Sequence, residues 1–504
     1  MPTNQNLMAA SLVPFQLKSW IGGQSDYNDK GIRGSYKFGY GMSIRDQEDS
    51  VTAGQALKDD LVTGTFDAPC YFVVPSSNGN TYFFLNNGKI WRRTSVGVYN
   101  LVYTDTNESG NIIGAAEWYD SNGYTYIMWA TPTRLNIKRL IGPGYTPAEP
   151  WTDVNTAASG SWPKTDLTSA TWHTMANTNG VLEICNGNLM AMVGYDLSYS
   201  TNTLALIPGN SAKCVLERGK YGIIGCTRVD NKDETDFFSW DGIGTHWNDK
   251  GIVKFGGLNS MIDTEISIAQ MGTNGQFYIT DFKTPVPFRQ IKGGGQSDVD
   301  GVASYHGMAL FGIYGNTYYT NGHYANGIYA VGRINKNAPL VLDLEYQLDC
   351  DEIYSVKVIG TDIICVYKLN GLYGVKIVDT AHKATAVFQS LDLDAPIGSR
   401  RYPNPLGRLV NWVKIDLQCR PLPAGCSVQV WWKLDKVDTG GTNNDGWYQS
   451  NLVDSTSTSW STTGGQNSVW AVGQKGRTLE VMVILTPSGN TTADLHEINA
   501  YISL

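Results

Sequence analysis

The stretch IICVYKLNGLYGVKIVD, residues 363–379, decides the fold. A run rich in Ile, Val and Tyr meets Asn370-Gly371, and a second β-rich run follows at once. Asn-Gly accepts the positive φ that both central positions of a type I′ turn require, so the stretch reads as a tight β-hairpin. TYFFLNNGKIWRRT (81–94) and FFSWDGIGTHW (237–247) repeat the pattern, and looser versions stand at 124–141, 181–200, 275–291 and 308–334. Seven such centres spaced about 45–50 residues apart match the size of a four-stranded propeller blade. Residues 66–394 are therefore predicted to form an irregular β-propeller of six or seven blades. A β-helix, the competing reading, needs shorter and more regular turns.

Composition agrees with an all-β chain. Of 504 residues, 42% are hydrophobic, 11% aromatic and only 17% charged, with 55 glycines. Ordinary globular chains carry about 25% charge, and helical bundles need many more Ala, Glu, Lys, Leu and Arg. The apolar content is also too high for a disordered chain. A net charge of −8, with no basic block longer than Arg92-Arg93 or Arg400-Arg401, argues against direct nucleic-acid binding. No apolar run reaches the length of about 18 residues that a membrane-spanning helix needs. The N-terminal stretch has no positive charge before Lys18 and is interrupted by Pro14, which does not fit a signal peptide. Eight cysteines without a C-x-x-C spacing read as buried free thiols.

The organisation expected on either side of the propeller differs from it. Residues 1–65 are Gly-rich, polar and weakly periodic, an extended arm with one short helical turn near residues 54–60. Residues 395–408 hold three of the prolines of LDLDAPIGSRRYPNPLGR and read as a linker. Residues 409–504 alternate again: Val428, Val430, Trp432 and Leu434 share one side, as do Leu479, Val481, Val483 and Leu485. That pattern predicts a β-sandwich or jelly roll.

Chemistry-bearing motifs are scarce. The six histidines show no metal-ligand spacing, and there is no nucleophile elbow, phosphate loop or dinucleotide fingerprint. Asp298 and Asp300 in GGGQSDVDG have calcium-loop spacing but lack the further acidic ligands, so a surface turn is the expectation. A propeller glycosidase would need two axial carboxylates, and Glu117, Glu183, Asp236, Asp241 and Asp281 supply acids in β-rich stretches without placing any two together. No catalytic residue, cofactor or metal is assigned. In Trp431-Trp432 the two side chains point to opposite faces, so one is expected outside the core. Trp431, Trp447, Tyr448 and Trp460 are accordingly candidate glycan contacts, with core or subunit interface as the competing reading.

One resemblance is carried by residues Gly22 to Leu57, of the form GG-x-S…KGIRGS…G-x-G-x-x-IRDQEDSV-x-x-x-QAL. This arm resembles the opening of structural proteins of tailed bacteriophages, and the C-terminal VQVWWKLD, GRTLEVMVILT and HEINAYIS resemble their closing strands. The resemblance implies a non-enzymatic virion component, in a connector, nozzle or tail-tip ring, assembled in the host cytoplasm. The implied partners are copies of itself, neighbouring tail proteins and, at a tip, a host surface glycan. Arg33 and Arg45 are expected to anchor the arm by pairing with carboxylates. A glycan- or receptor-binding tip protein and a propeller glycoside hydrolase are the alternatives.

Overall fold

Asn370 and Gly371 take φ of 51° and 79°, and the strands Asp362–Leu369 and Leu372–Lys383 close on them with Leu369 opposite Leu372. The computed structural model describes residues 13–20, 22–25, 35–45, 50–145, 150–156, 161–230, 232, 234–253, 256–264, 266–280, 285–333, 337–391, 393–394, 409–435 and 446–503. The linker expected at 395–408 lies outside them.

Seven antiparallel sheets follow one another along the described chain. The first runs Cys70–Pro75, Thr81–Leu85, Lys89–Ser95, Val98–Thr104, each strand beside the next. The second has three strands, Gly114–Tyr119, Thr125–Ala130 and Leu135–Ile141. Four-stranded sheets then occupy 175–205, 210–253, 258–290 and 302–347. The seventh joins Glu352–Ile359, Asp362–Leu369 and Leu372–Lys383 to Gln55–Phe66. Each sheet's opening strand packs against the opening strand of the next, and Glu352–Ile359 packs against Cys70–Pro75. This is the arrangement of a β-propeller.

The sequence pattern follows from it. A second strand such as Thr81–Leu85 or Thr125–Ala130 is covered on both faces by neighbouring sheets, so TYFFL and TYIMWA are nearly all buried and read as continuous apolar runs.

Three expectations are corrected. The stretch near 54–60 is not helical: Gln55–Phe66 is an extended strand that completes the seventh sheet, because its edge bonds Leu372–Lys383. The Asp241-Gly242 turn is not tight, since residues 241–248 separate Thr235–Trp240 from Asp249–Val253. There the Asp241 carboxylate accepts from the Ile243 and Gly244 N–H groups and shapes the start of a longer loop. Asp298 and Asp300 do not form a solvated turn; both carboxyls are largely withdrawn from solvent among the opening strands.

Two further six-stranded sheets share one core that includes Trp412, Ile415, Val430, Trp470, Val483 and Ile498. They draw on both ends of the chain. Val13–Leu17 and Val51–Ala53 pair with Asp494–Ser503, while Phe38–Tyr40 pairs with Ala386–Gln389, which pairs in turn with Thr478–Thr486. So Ala386–Gln389 and Leu393–Asp394, assigned by sequence to the propeller, and Val13–Leu17, Phe38–Tyr40, Met42–Ser43 and Val51–Ala53 of the arm are strands of these two sheets. The outer face of the second sheet presents Met482, Ile484 and Trp431 to Phe311, Tyr329 and Leu342 of the sixth propeller sheet. All eight cysteines are free and buried.

Candidate interaction site at the strand ends of the propeller

The residues singled out from sequence are mostly engaged in packing. Arg45 forms an ion pair with Asp343 and sits 3.5 Å from Glu345, both on the outer strand of the sixth sheet. Lys37 pairs with Glu480 at 2.7 Å, and Gln389 donates to the same carboxylate at 3.0 Å. The arm is thus pinned to the propeller by Arg45 and to the two-sheet unit by Lys37. Arg33 lies outside the described residues.

The aromatic candidates for glycan stacking are not displayed. Trp447 and Trp460 are buried, Trp431 is half-buried against the propeller, and Trp432 lies in the two-sheet core. Only Tyr448 is exposed, and its ring stacks on Trp432 with centroids 4.8 Å apart. The alternation of Trp431 and Trp432 is as the period predicts, but the face outside the core is covered by the propeller.

The acidic candidates are scattered over the second, third and fourth sheets. Glu117 accepts from Ser76 and Ser77 of the first sheet, and Asp236 accepts from Asn210 and pairs with Lys250. Asp281 lies outside the described residues. Glu183 is different. It is fully buried in the second strand of the third sheet, and neither carboxyl oxygen has a hydrogen-bond partner among the described residues. It faces Gly222 of the fourth sheet so closely that a Cβ there would fall 1.7 Å from its Oε2. Burial, then the charges of Asp241 and Glu217, push its pKa well above the ordinary carboxyl range.

The sign of the resulting pH effect is fixed. A carboxyl whose pKa is raised on folding contributes its full stability below the unfolded value, and that contribution falls as pH rises toward the folded value. Glu183→Gln should therefore gain stability relative to the native chain between pH 4.5 and pH 8, by up to about 1.4 kcal/mol per pH unit. Urea midpoints at the two pH values measure this; equal differences at both would contradict it.

Sequence reasoning missed a cleft of about 440 Å³ lined by Tyr119, Asn177, Asn179, Gly180, Tyr195 and Glu217. Tyr119 ends the opening strand of the second sheet, and Asn177 lies in that of the third. Glu217 stands one residue from the end of the opening strand of the fourth. Asn179 (φ 51°) and Gly180 (φ 85°) form the two-residue turn that follows Met175–Thr178, a type I′ geometry. The Tyr195 backbone carbonyl accepts from the Ser121 N–H at 2.9 Å, and its ring meets that of Tyr119 edge-on at 5.8 Å. Gly180 is required here: a Cβ would stand 2.9 Å from the Tyr195 ring. Both tyrosines remain more than 40% exposed. The only sequence signal was NTNG (177–180), a turn signature without functional meaning by itself.

A second cluster lies among the opening strands. Tyr71 meets Trp172 and Tyr354 edge-on at 5.1 and 5.4 Å. Beside it, burial pushes the Asp298 carboxyl up to about 7, against the Tyr314 hydroxyl that donates to it at 3.0 Å. Asp300 is wholly engaged, accepting from Val73 N–H, Ser355 Oγ and Lys357 Nζ. It is a tie between sheets, not a free general base.

No family model matches the chain, and no curated protein matches it. Among solved structures, the WD40 β-propeller domain of Doa1 aligns with 13% identity and a TM-score of 0.39, over 64% of this chain and 97% of that one. A chain of the mitotic checkpoint complex aligns with 10% identity and a TM-score of 0.43, over 64% of this chain and 91% of that one.

Proposed function

We propose that the chain is a non-enzymatic structural component of a bacteriophage tail, a connector, nozzle or tail-tip ring, built from a seven-bladed propeller and a β-sandwich. The observation that carries this reading is the use made of the segment with the tail-protein resemblance. Between Gly22 and Leu57 the chain pairs into both six-stranded sheets and starts the strand that completes the seventh propeller sheet. It also places Arg45 on Asp343 and Glu345. Such an arm makes one stiff block of two units, which suits repeated contacts in a symmetric ring. The partners are further copies of the chain and adjoining tail proteins, the site of assembly is the host cytoplasm, and no cofactor is needed.

The test is imaging of intact particles from an infected host, with mass spectrometry of the purified particles. The chain is expected in stoichiometric copies around the tail axis. Its absence from purified particles would overturn the proposal.

A further inference from the structure

We propose that the cleft formed by Tyr119, Asn177, Asn179, Tyr195 and Glu217 binds a neutral saccharide. Its volume of about 440 Å³ falls in the range of small-ligand sites. The side chains of Asn177, Asn179 and Glu217 make no hydrogen bond or ion pair among the described residues, although each lines the cleft. Three unengaged polar groups therefore converge beside two half-exposed tyrosine rings.

The chemistry selects the ligand class. Each Asn offers two donors and an acceptor, and the Glu217 carboxylate only accepts. Vicinal hydroxyls, which both donate and accept, satisfy this set. An amine or guanidinium, with donors alone, would leave the Asn N–H groups without acceptors. An acidic sugar would face the Glu217 charge, with the Asp241 carboxylate in the same seam and no Lys or Arg in the lining. Tyr119 and Tyr195, whose rings meet edge-on and are each more than 40% exposed, supply aromatic surface for the C–H side of a pyranose.

One wall of the site is preorganised. Tyr195 is held by Ser121, by the Tyr119 ring and by the absence of a Cβ at Gly180, so little ordering of that residue opposes binding. This inference goes beyond the structural role: a ring component without a sugar site, or a sugar site on a chain that never enters a particle, would each leave the other conclusion standing.

The experiment is saturation-transfer NMR and calorimetric titration of the full chain against neutral gluco-, galacto- and manno-oligosaccharides, with uronic-acid and sialylated analogues alongside. At least one neutral series is expected to bind. Tyr195→Ala and Glu217→Gln should each weaken it by about tenfold or more, while Val453→Ala, an exposed position on the other unit, leaves it unchanged. The altered side chains are exposed, and thermal melts verify folding. Absence of binding by every neutral oligosaccharide at millimolar concentration would overturn the proposal. So would unchanged affinity in both cleft variants, or equal affinity for the acidic analogues.

Discussion

Asp60→Ala is expected to lower stability by about 3–5 kcal/mol, the range for stripping one partner from a buried charge pair. Asp60 lies on Gln55–Phe66, the arm strand that completes the seventh sheet. Its carboxylate accepts from Arg93 Nε at 2.6 Å, the Gly97 N–H at 2.8 Å and the Tyr99 hydroxyl at 2.6 Å, all in the first sheet. Asp60 is fully buried and Arg93 only 6% exposed at their side chains. Removing the carboxylate leaves a guanidinium, a hydroxyl and an amide facing one another without an acceptor. The same loss should not follow when both charges go. Asp60→Leu with Arg93→Met replaces the pair by apolar groups, and about half or more of the deficit should return. Urea midpoints followed by tryptophan fluorescence measure both variants. A deficit below about 1 kcal/mol for the single variant would show that the pair does not hold the seam.

The legible parts of the fold are those whose signal is local. The type I′ turn at Asn370-Gly371 is written in two residues, and strands covered on both faces announce themselves as runs such as TYFFL. The strand QALKDDLVTGTF carries no such signal. It is an outermost strand paired along one edge, with register shifts near Val375 and Asp379, so its buried positions do not alternate. Phe38–Tyr40 and Val51–Ala53 are three residues long and pair with segments more than 300 residues away, and no period can be read from so few positions.

The candidate site was illegible for a related reason. Tyr119, Asn177 and Glu217 stand at or near the ends of three different strands, and only the lateral packing of sheets two to four brings them together. The tryptophans were legible only in part. Of the two readings open for them, core or interface and glycan contact, the packing matches the first: the sheet carrying Trp431 and Trp432 is covered on one face by its own core and on the other by the propeller. A sequence period reports that two faces exist, not whether the second meets water.

Asp300→Ala should loosen the meeting of the first and seventh sheets from the inside, as Asp60→Ala does from the outside. Asp300 precedes the sixth sheet, yet its carboxylate accepts from Val73 N–H (3.0 Å) in the first sheet and from Ser355 Oγ (2.7 Å) and Lys357 Nζ (2.6 Å) in the seventh. Its backbone adds a bridge to Ser355 and accepts from the Val356 N–H. One side chain therefore joins three segments that are distant in sequence, where each contact would otherwise have to be held against chain entropy alone. The ion pair retains some solvent, with side chains 15% and 19% exposed, so the cost is set below that of Asp60, at about 2–4 kcal/mol. Asp300→Asn keeps an acceptor for Val73 and Ser355 and loses the charge and the acceptor facing Lys357, so it should lose about half as much. Because a chain of several sheets need not unfold in one step, the decisive readout is local. Amide hydrogen exchange of Val73 and Val356 should accelerate in the Ala variant, less in the Asn variant, and not at all in strands of the fourth sheet. Uniform acceleration across all sheets would mean that Asp300 supports the whole chain and not the seam it bridges.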